Sequence, residues 1–176
     1  MKKIIYLLFV FFLFSFSLYA DNKLVDYVGV GISSQKVDNS KFNKGSALTI
    51  NAGKSNSINH LGIEMEGSIQ LKKPKATISN ITSDLKFWSM GMYGTYIWKL
   101  SNITIKPRFG FVYENIKSSF NTSNSNKTKP VDKSKIALSG GIGISYKLSD
   151  KTSLYTNYTK FEDDIDHLTF GAEFKF

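Results

Sequence analysis

The 176-residue chain has no cysteine, three prolines, two histidines and a single arginine. Without cysteine there is neither a disulfide framework nor a thiolate metal site. Beyond residue 20 no uninterrupted apolar run reaches helix-spanning length, which excludes a helical bundle in a membrane. The formal charge is +9, yet zinc-finger spacings, helix-turn-helix patterns and aromatic nucleic-acid motifs are all missing, so nucleic acid is not the expected partner. Anionic lipid headgroups or glycans suit the excess of lysine better.

The first twenty residues read as an export signal. Lys2 and Lys3 form a basic start, Ile4 to Phe16 an apolar stretch, and Ala20 a small residue before a cut at Asp21. Leu18, at a position where alanine is usual, leaves the site of the cut open. An uncleaved anchor is the alternative, but the run from Ile4 to Ala20 is at the short limit for a membrane span. Residues 21–176 remain, enough for one domain.

That remainder alternates. From Trp88 to Trp98 every second residue is Trp88, Met90, Met92, Gly94, Tyr96 or Trp98, while Ser89, Gly91, Tyr93 and Thr95 lie between them. A period of two is a β-strand with one greasy and one wet face. Ten steps of ~3.3 Å, tilted by ~40°, rise roughly 25 Å, the height of the apolar band on an outer-membrane barrel. The pattern recurs with Val28, Val30 and Ile32; with Leu48, Ile50 and Ala52; and with Leu61, Ile63 and Met65. It continues through Ile103 to Tyr113, Ile136 to Tyr146, Leu154 to Tyr158, and Leu168 to Phe176. The spacing predicts eight strands, the even number that an antiparallel closed barrel requires.

Connection lengths alternate as well. Ser55–Asn59, Lys99–Asn102 and Leu148–Lys151 are tight and rich in turn residues, as befits a periplasmic rim. Asp38–Asn43, Lys72–Ser83, Lys117–Lys133 and Glu162–Asp166 read as the outer loops, two of them long. Pro107 cannot donate to a ladder and is expected to mark a bulge. Gly29, Gly31, Gly140, Gly141 and Gly143 suit tight curvature in a narrow barrel. A soluble lipocalin-like barrel has the same alternation with its faces reversed. It would have to exclude Glu64, Glu66, Lys106, Arg108 and Glu173 from its interior while burying both tryptophans. The aromatic girdle of Trp88, Tyr96, Trp98, Tyr113 and Tyr146 favours lipid on the greasy side.

These residues resemble the superfamily of small eight-stranded outer-membrane barrels, which includes OmpX, the OmpA transmembrane domain, opacity proteins and accessory colonisation factor A. The most specific part is His167–Phe176, apolar at alternate positions and ending in an aromatic residue. Phe170, Phe174 and Phe176 there look like the signal read by the outer-membrane assembly machinery. The resemblance implies an all-β, antiparallel, up-and-down transmembrane β-barrel over residues 21–176, in the outer membrane of a Gram-negative bacterium. It implies no cofactor, and a monomer surrounded by lipid and lipopolysaccharide.

Three functions compete. The first is a structural or surface-interaction role, adhesion or colonisation, carried by the outer loops without catalysis. Its candidates are the basic residues Lys72, Lys73, Lys75, Lys127, Lys129 and Lys133, facing lipopolysaccharide phosphates, host glycans or matrix. The second is a narrow gated ion pore, in which Glu64, Glu66, Lys106, Arg108 and Glu173 form a lumen network; eight strands alone leave no aqueous channel. The third is a lipid A-modifying enzyme built on His167 and Thr169, for which no oriented nucleophile and base can be read. Glu162, Asp163, Asp164 and Asp166 make an acidic loop without the fixed geometry of a cation site.

Overall fold

The computed structural model describes residues 25–37, 43–55, 60–78, 81–121, 132–161 and 165–176. Residues 1–20, with Lys127, Lys129, Glu162, Asp163 and Asp164, lie outside the described residues. Within them the chain is strand throughout: β1 Tyr27–Val37, β2 Gly45–Ser55, β3 Leu61–Lys72, β4 Lys75–Ile78, β5 Ile81–Tyr96, β6 Trp98–Leu100, β7 Ile103–Asn121, β8 Asp132–Lys147, β9 Thr152–Phe161 and β10 Ile165–Lys175. β4 continues the line of β3 after Pro74, and β6 continues β5 after Ile97, so the wall has eight strands. Every pairing is antiparallel; β1 meets β10 and β5 meets β7, which closes the sheet and leaves the wall without an edge.

The register sets the size of the barrel. Cα partners run from Ala137 through Val112, Gly91, Glu66, Asn51, Gly29, Glu173 and Ser153 back to β8 at Lys147, ten residues along from 137 to 147. Eight strands with that stagger, ~4.8 Å apart and rising ~3.3 Å per residue, tilt by about 40° around a backbone radius of about 8 Å. So narrow a lumen fills with side chains.

Burial is inverted relative to a water-soluble protein. Ile63, Phe109, Phe170 and Ile136 stand 61 to 72% exposed on the outer face, whereas Glu64 is 0% and Arg108 3% exposed inside. The outer rows match across strands, as in Met65–Met92–Phe111–Leu138. Only an apolar solvent around the barrel makes that distribution favourable, at about 1.5–3 kcal/mol for each large side chain removed from water.

Inward glycines let the strands coil this tightly. A Cβ at Gly110 would stand 1.9 Å from the Met92 carbonyl oxygen and 2.8 Å from the Tyr93 Cα, both backbone atoms of the neighbouring strand. Gly140, by contrast, faces outward beside Phe109. At the tight-turn end, β6 and β7 join through Ser101 and Asn102, with Ser101 at a φ of 53°. There the Lys147 ammonium, 2.6 Å from Asp150, holds that carboxyl below its ordinary range.

Two expectations need correction. Lys72–Ser83 and Lys117–Lys133 are not simply loops: β4 and the start of β5 lie in the first, while β7 runs to Asn121 and β8 begins at Asp132. Cross-strand pairing continues above the rim because β5 and β7 match from Thr82↔Asn121 downward. Pro107 causes no bulge. Trp98↔Ile105 and Thr95↔Arg108 share one register, and the ladder merely lapses at Ile97, whose N–H donates instead to the His60 carbonyl at 2.7 Å. The missing proline donor falls in that gap.

Candidate functional site

Two storeys occupy the lumen. The lower, towards the tight turns, is ionic, and β7 supplies both of its cations because Lys106 and Arg108 share the inward parity of Gly110 and Val112. Lys106 Nζ donates to Glu64 at 2.5 Å and to Glu173 at 3.0 Å. Arg108 lies 2.7 Å from Glu64 and 2.7 Å from Glu66, and also donates to Thr159 Oγ1. The Tyr27 hydroxyl donates to Glu64 at 2.6 Å. Lys106 sits over the Tyr27 ring and Arg108 over the Tyr93 ring, each 4.6 Å from the centroid. All five charged residues singled out in the sequence are therefore buried and connected. In so dry a setting each charge depends on its partners, since desolvation costs several kcal/mol per ion.

The upper storey is built around an apolar cluster. Phe87, Val112, Ala137, Phe161 and Ile165 pack together with Ile116 against them. Phe161 is 4.6 Å and Phe87 5.5 Å from the His167 ring. His167 is buried, its Nε2 3.3 Å from Gln35 Nε2 and its Nδ1 without a partner. Asp166, one residue away, points to the opposite face of β10, and the hydroxyls of Ser33, Thr49 and Thr169 bond one another rather than the imidazole. Among the described residues His167 thus lacks both an orienting carboxylate and a nucleophile. Sequence reasoning missed this seal, although Phe87 shares the parity of Ser89 and Gly91. It also left out Glu114, fully buried with neither carboxylate oxygen hydrogen-bonded and Lys135 3.9 Å away.

Outside, Trp88 and Tyr113 meet at 5.3 Å near the upper rim, while Tyr96, Trp98 and Tyr146 are exposed near the lower one, Tyr96 5.9 Å from His60. Phe170 and Phe174 face outward along β10, beside the seam with β1, and the exposed Phe176 follows the end of that strand.

Above the upper rim, β4, β5, β7 and β8 continue as a four-stranded tongue. β9 stops at Phe161 opposite Ser139, whereas β8 extends up to Asp132. The stretch from Trp88 back to Ile81 lifts the tongue about 18 Å. Lys72, Lys75, Lys86 and Lys117 are exposed on or beside it, with Lys73 half-buried; Lys133 lies on its β8 strand. Inside its base, Gln35, Pro74, Leu85, Phe87, Ile116 and Ile165 line a shallow apolar depression.

The family model described as outer membrane protein beta-barrel domain matches residues 6–176. No curated relative matches the chain. Among solved structures, Neisserial surface protein A (NspA) superposes with a TM-score of 0.61 at 19% identity, over 85% of this chain and 96% of that one. Ail, the attachment invasion locus protein of Yersinia pestis, solved in complex with the heparin analogue sucrose octasulfate, gives 0.61 at 16% identity over 86% and 97%. OprG from Pseudomonas aeruginosa gives 0.61 at 12% over 86% and 96%. Identities this low speak for the fold alone.

Proposed function

Because the chain belongs to the outer membrane protein beta-barrel domain family, we propose that it is a closed, non-catalytic scaffold that presents a basic platform for surface interaction. The ligand class is an anionic glycan, on lipopolysaccharide or on a host surface. The observation that carries this reading is the tongue, which stands clear of the rim with Lys72, Lys75, Lys86 and Lys117 exposed. Binding energy here is electrostatic, so it weakens as the Debye length shrinks to about 8 Å at 0.15 M salt. The Ail complex with a heparin analogue lends support by fold likeness; the argument for this chain rests on its own lysines.

Retention of the purified barrel in nanodiscs on immobilised heparin tests the reading. Elution should move to higher salt than for an acidic control barrel, and the Lys72→Glu/Lys73→Glu/Lys75→Glu variant should lose that retention. Equal elution of variant and wild type would refute it. The gated-pore reading is disfavoured by the Phe87–Phe161–His167 seal above the ionic storey, and planar bilayers should record no steady conductance.

A further inference from the structure

The lower rim, where the tight turns lie, repeats one short pattern at three strand ends. Lys99 stands between Trp98 and Leu100, Lys147 between Tyr146 and Leu148, and Lys175 between Phe174 and Phe176. These lysines and their neighbours on both sides are all exposed. The ends are also tied together: the Lys147 N–H donates to the Asn102 carbonyl and the Lys175 N–H to the Lys151 carbonyl, each at 2.8 Å. They form one arc that runs from β6 through the β8–β9 turn to the end of β10.

Acid is scarce along this arc. Among the described residues Asp150 is taken by Lys147 at 2.6 Å, and Asp26 accepts from the backbone N–H and the hydroxyl of Ser55. Lys99, Lys151 and Lys175 are exposed and form no ion pair among the described residues. Their aromatic and aliphatic neighbours fix the depth, because rings at the end of a barrel settle where acyl chains give way to headgroups. A lysine one residue from two such anchors has a stem long enough to set its ammonium among lipid phosphates.

We propose that this arc binds the headgroups of anionic phospholipids in the leaflet at the tight-turn end of the barrel. Phosphodiester oxygens supply the negative charge that Lys99, Lys151 and Lys175 lack, and the apolar neighbours lie against the first methylenes of the same lipids. A zwitterionic headgroup offers the same phosphate but cancels it with its own ammonium, so the arc discriminates by net charge. The inference rests on the membrane placement that family membership supplies and is independent of the glycan-binding platform at the opposite end.

Trp98, next to Lys99, is a local reporter in a Trp88→Phe parent protein. The parent is placed in phosphatidylcholine vesicles at about 10 mM ionic strength, where the Debye length is about 30 Å. Phosphatidylglycerol and phosphatidylcholine, each brominated on its acyl chains, then compete for the place beside the indole. A lysine at an anionic surface favours the bound state about fivefold. Brominated phosphatidylglycerol should therefore quench Trp98 as though bound at least about threefold more tightly than its zwitterionic counterpart. Adding Lys99→Gln/Lys151→Gln/Lys175→Gln should bring that ratio to about one, and so should salt at about 1 M, where the Debye length is about 3 Å. Lys36, Lys44 and Lys160 are exposed towards the opposite rim, and Lys36→Gln/Lys44→Gln/Lys160→Gln removes the same charge there without changing the ratio. A parent ratio of one, a preference that survives the lower-rim variant, or equal losses in both triple variants would each overturn the proposal; equal losses would mean that the net charge of the barrel, not this arc, gathers the lipid.

Discussion

Replacing Arg108 with methionine removes a guanidinium whose side chain is 0% exposed and fills its volume with an uncharged one. Among the described residues Glu66 then loses its only cation and Glu64 one of two, leaving three carboxylates around Lys106. Stranding one side of a buried ion pair costs about 3–5 kcal/mol. The contact with the Tyr93 ring adds about 1 kcal/mol. With a urea slope near 2 kcal/mol/M for a domain of this size, the midpoint should fall by roughly 2–3 M. The assay is equilibrium unfolding in micelles, followed by the fluorescence of Trp88 and Trp98 and by the change in gel mobility on heating. A companion variant sharpens the argument. Arg108→Met with Glu66→Gln removes one charge of each sign, so it should recover about 1–3 kcal/mol of the loss, a coupling that two distant substitutions would not show. An unchanged midpoint for Arg108→Met, or a double variant as unstable as the sum of the singles, would refute the reasoning.

Gly110→Ala drives a methyl group into the backbone of β5 and should cost about 1–3 kcal/mol in the same urea assay, whereas Gly67→Ala, where a Cβ meets nothing within 4 Å, should be neutral. Phe161→Ala opens a hole between Phe87 and His167 and should lower stability by about 3–5 kcal/mol, measured by the urea midpoint. Both tryptophans should be quenched by phospholipids brominated near the headgroup more strongly than by those brominated at the acyl terminus, because Trp88 and Trp98 sit at opposite rims; equal or absent quenching would contradict the outward orientation.

The strands were legible in the sequence because a wall between lipid and a polar lumen enforces strict alternation, and the polar side then identified Glu64, Glu66, Lys106, Arg108 and Glu173 as interior. Which of them touch was not legible. Arg108 and Glu66 are brought together by the register and the ten-residue stagger, which no local pattern encodes. The apolar seal escaped for a different reason. Phe87, Val112 and Phe161 obey the inward parity but not the inward chemistry, so a rule that sends large apolar groups to lipid overlooks them. Lys72–Ser83 likewise read as loop, although strand pairing resumes right after Pro74, at Lys75.

The two cations of β7 reach carboxylates on β3 and β10, and Lys106 also contacts Tyr27 on β1. A tube held only along its circumference can flatten; spokes across the middle keep its cross-section round. Because two spokes end on the first and last strands, they also brace the joint where the chain's beginning meets its end. A hub of this kind gives the barrel a rigid lower end, while the tongue rises from the opposite one.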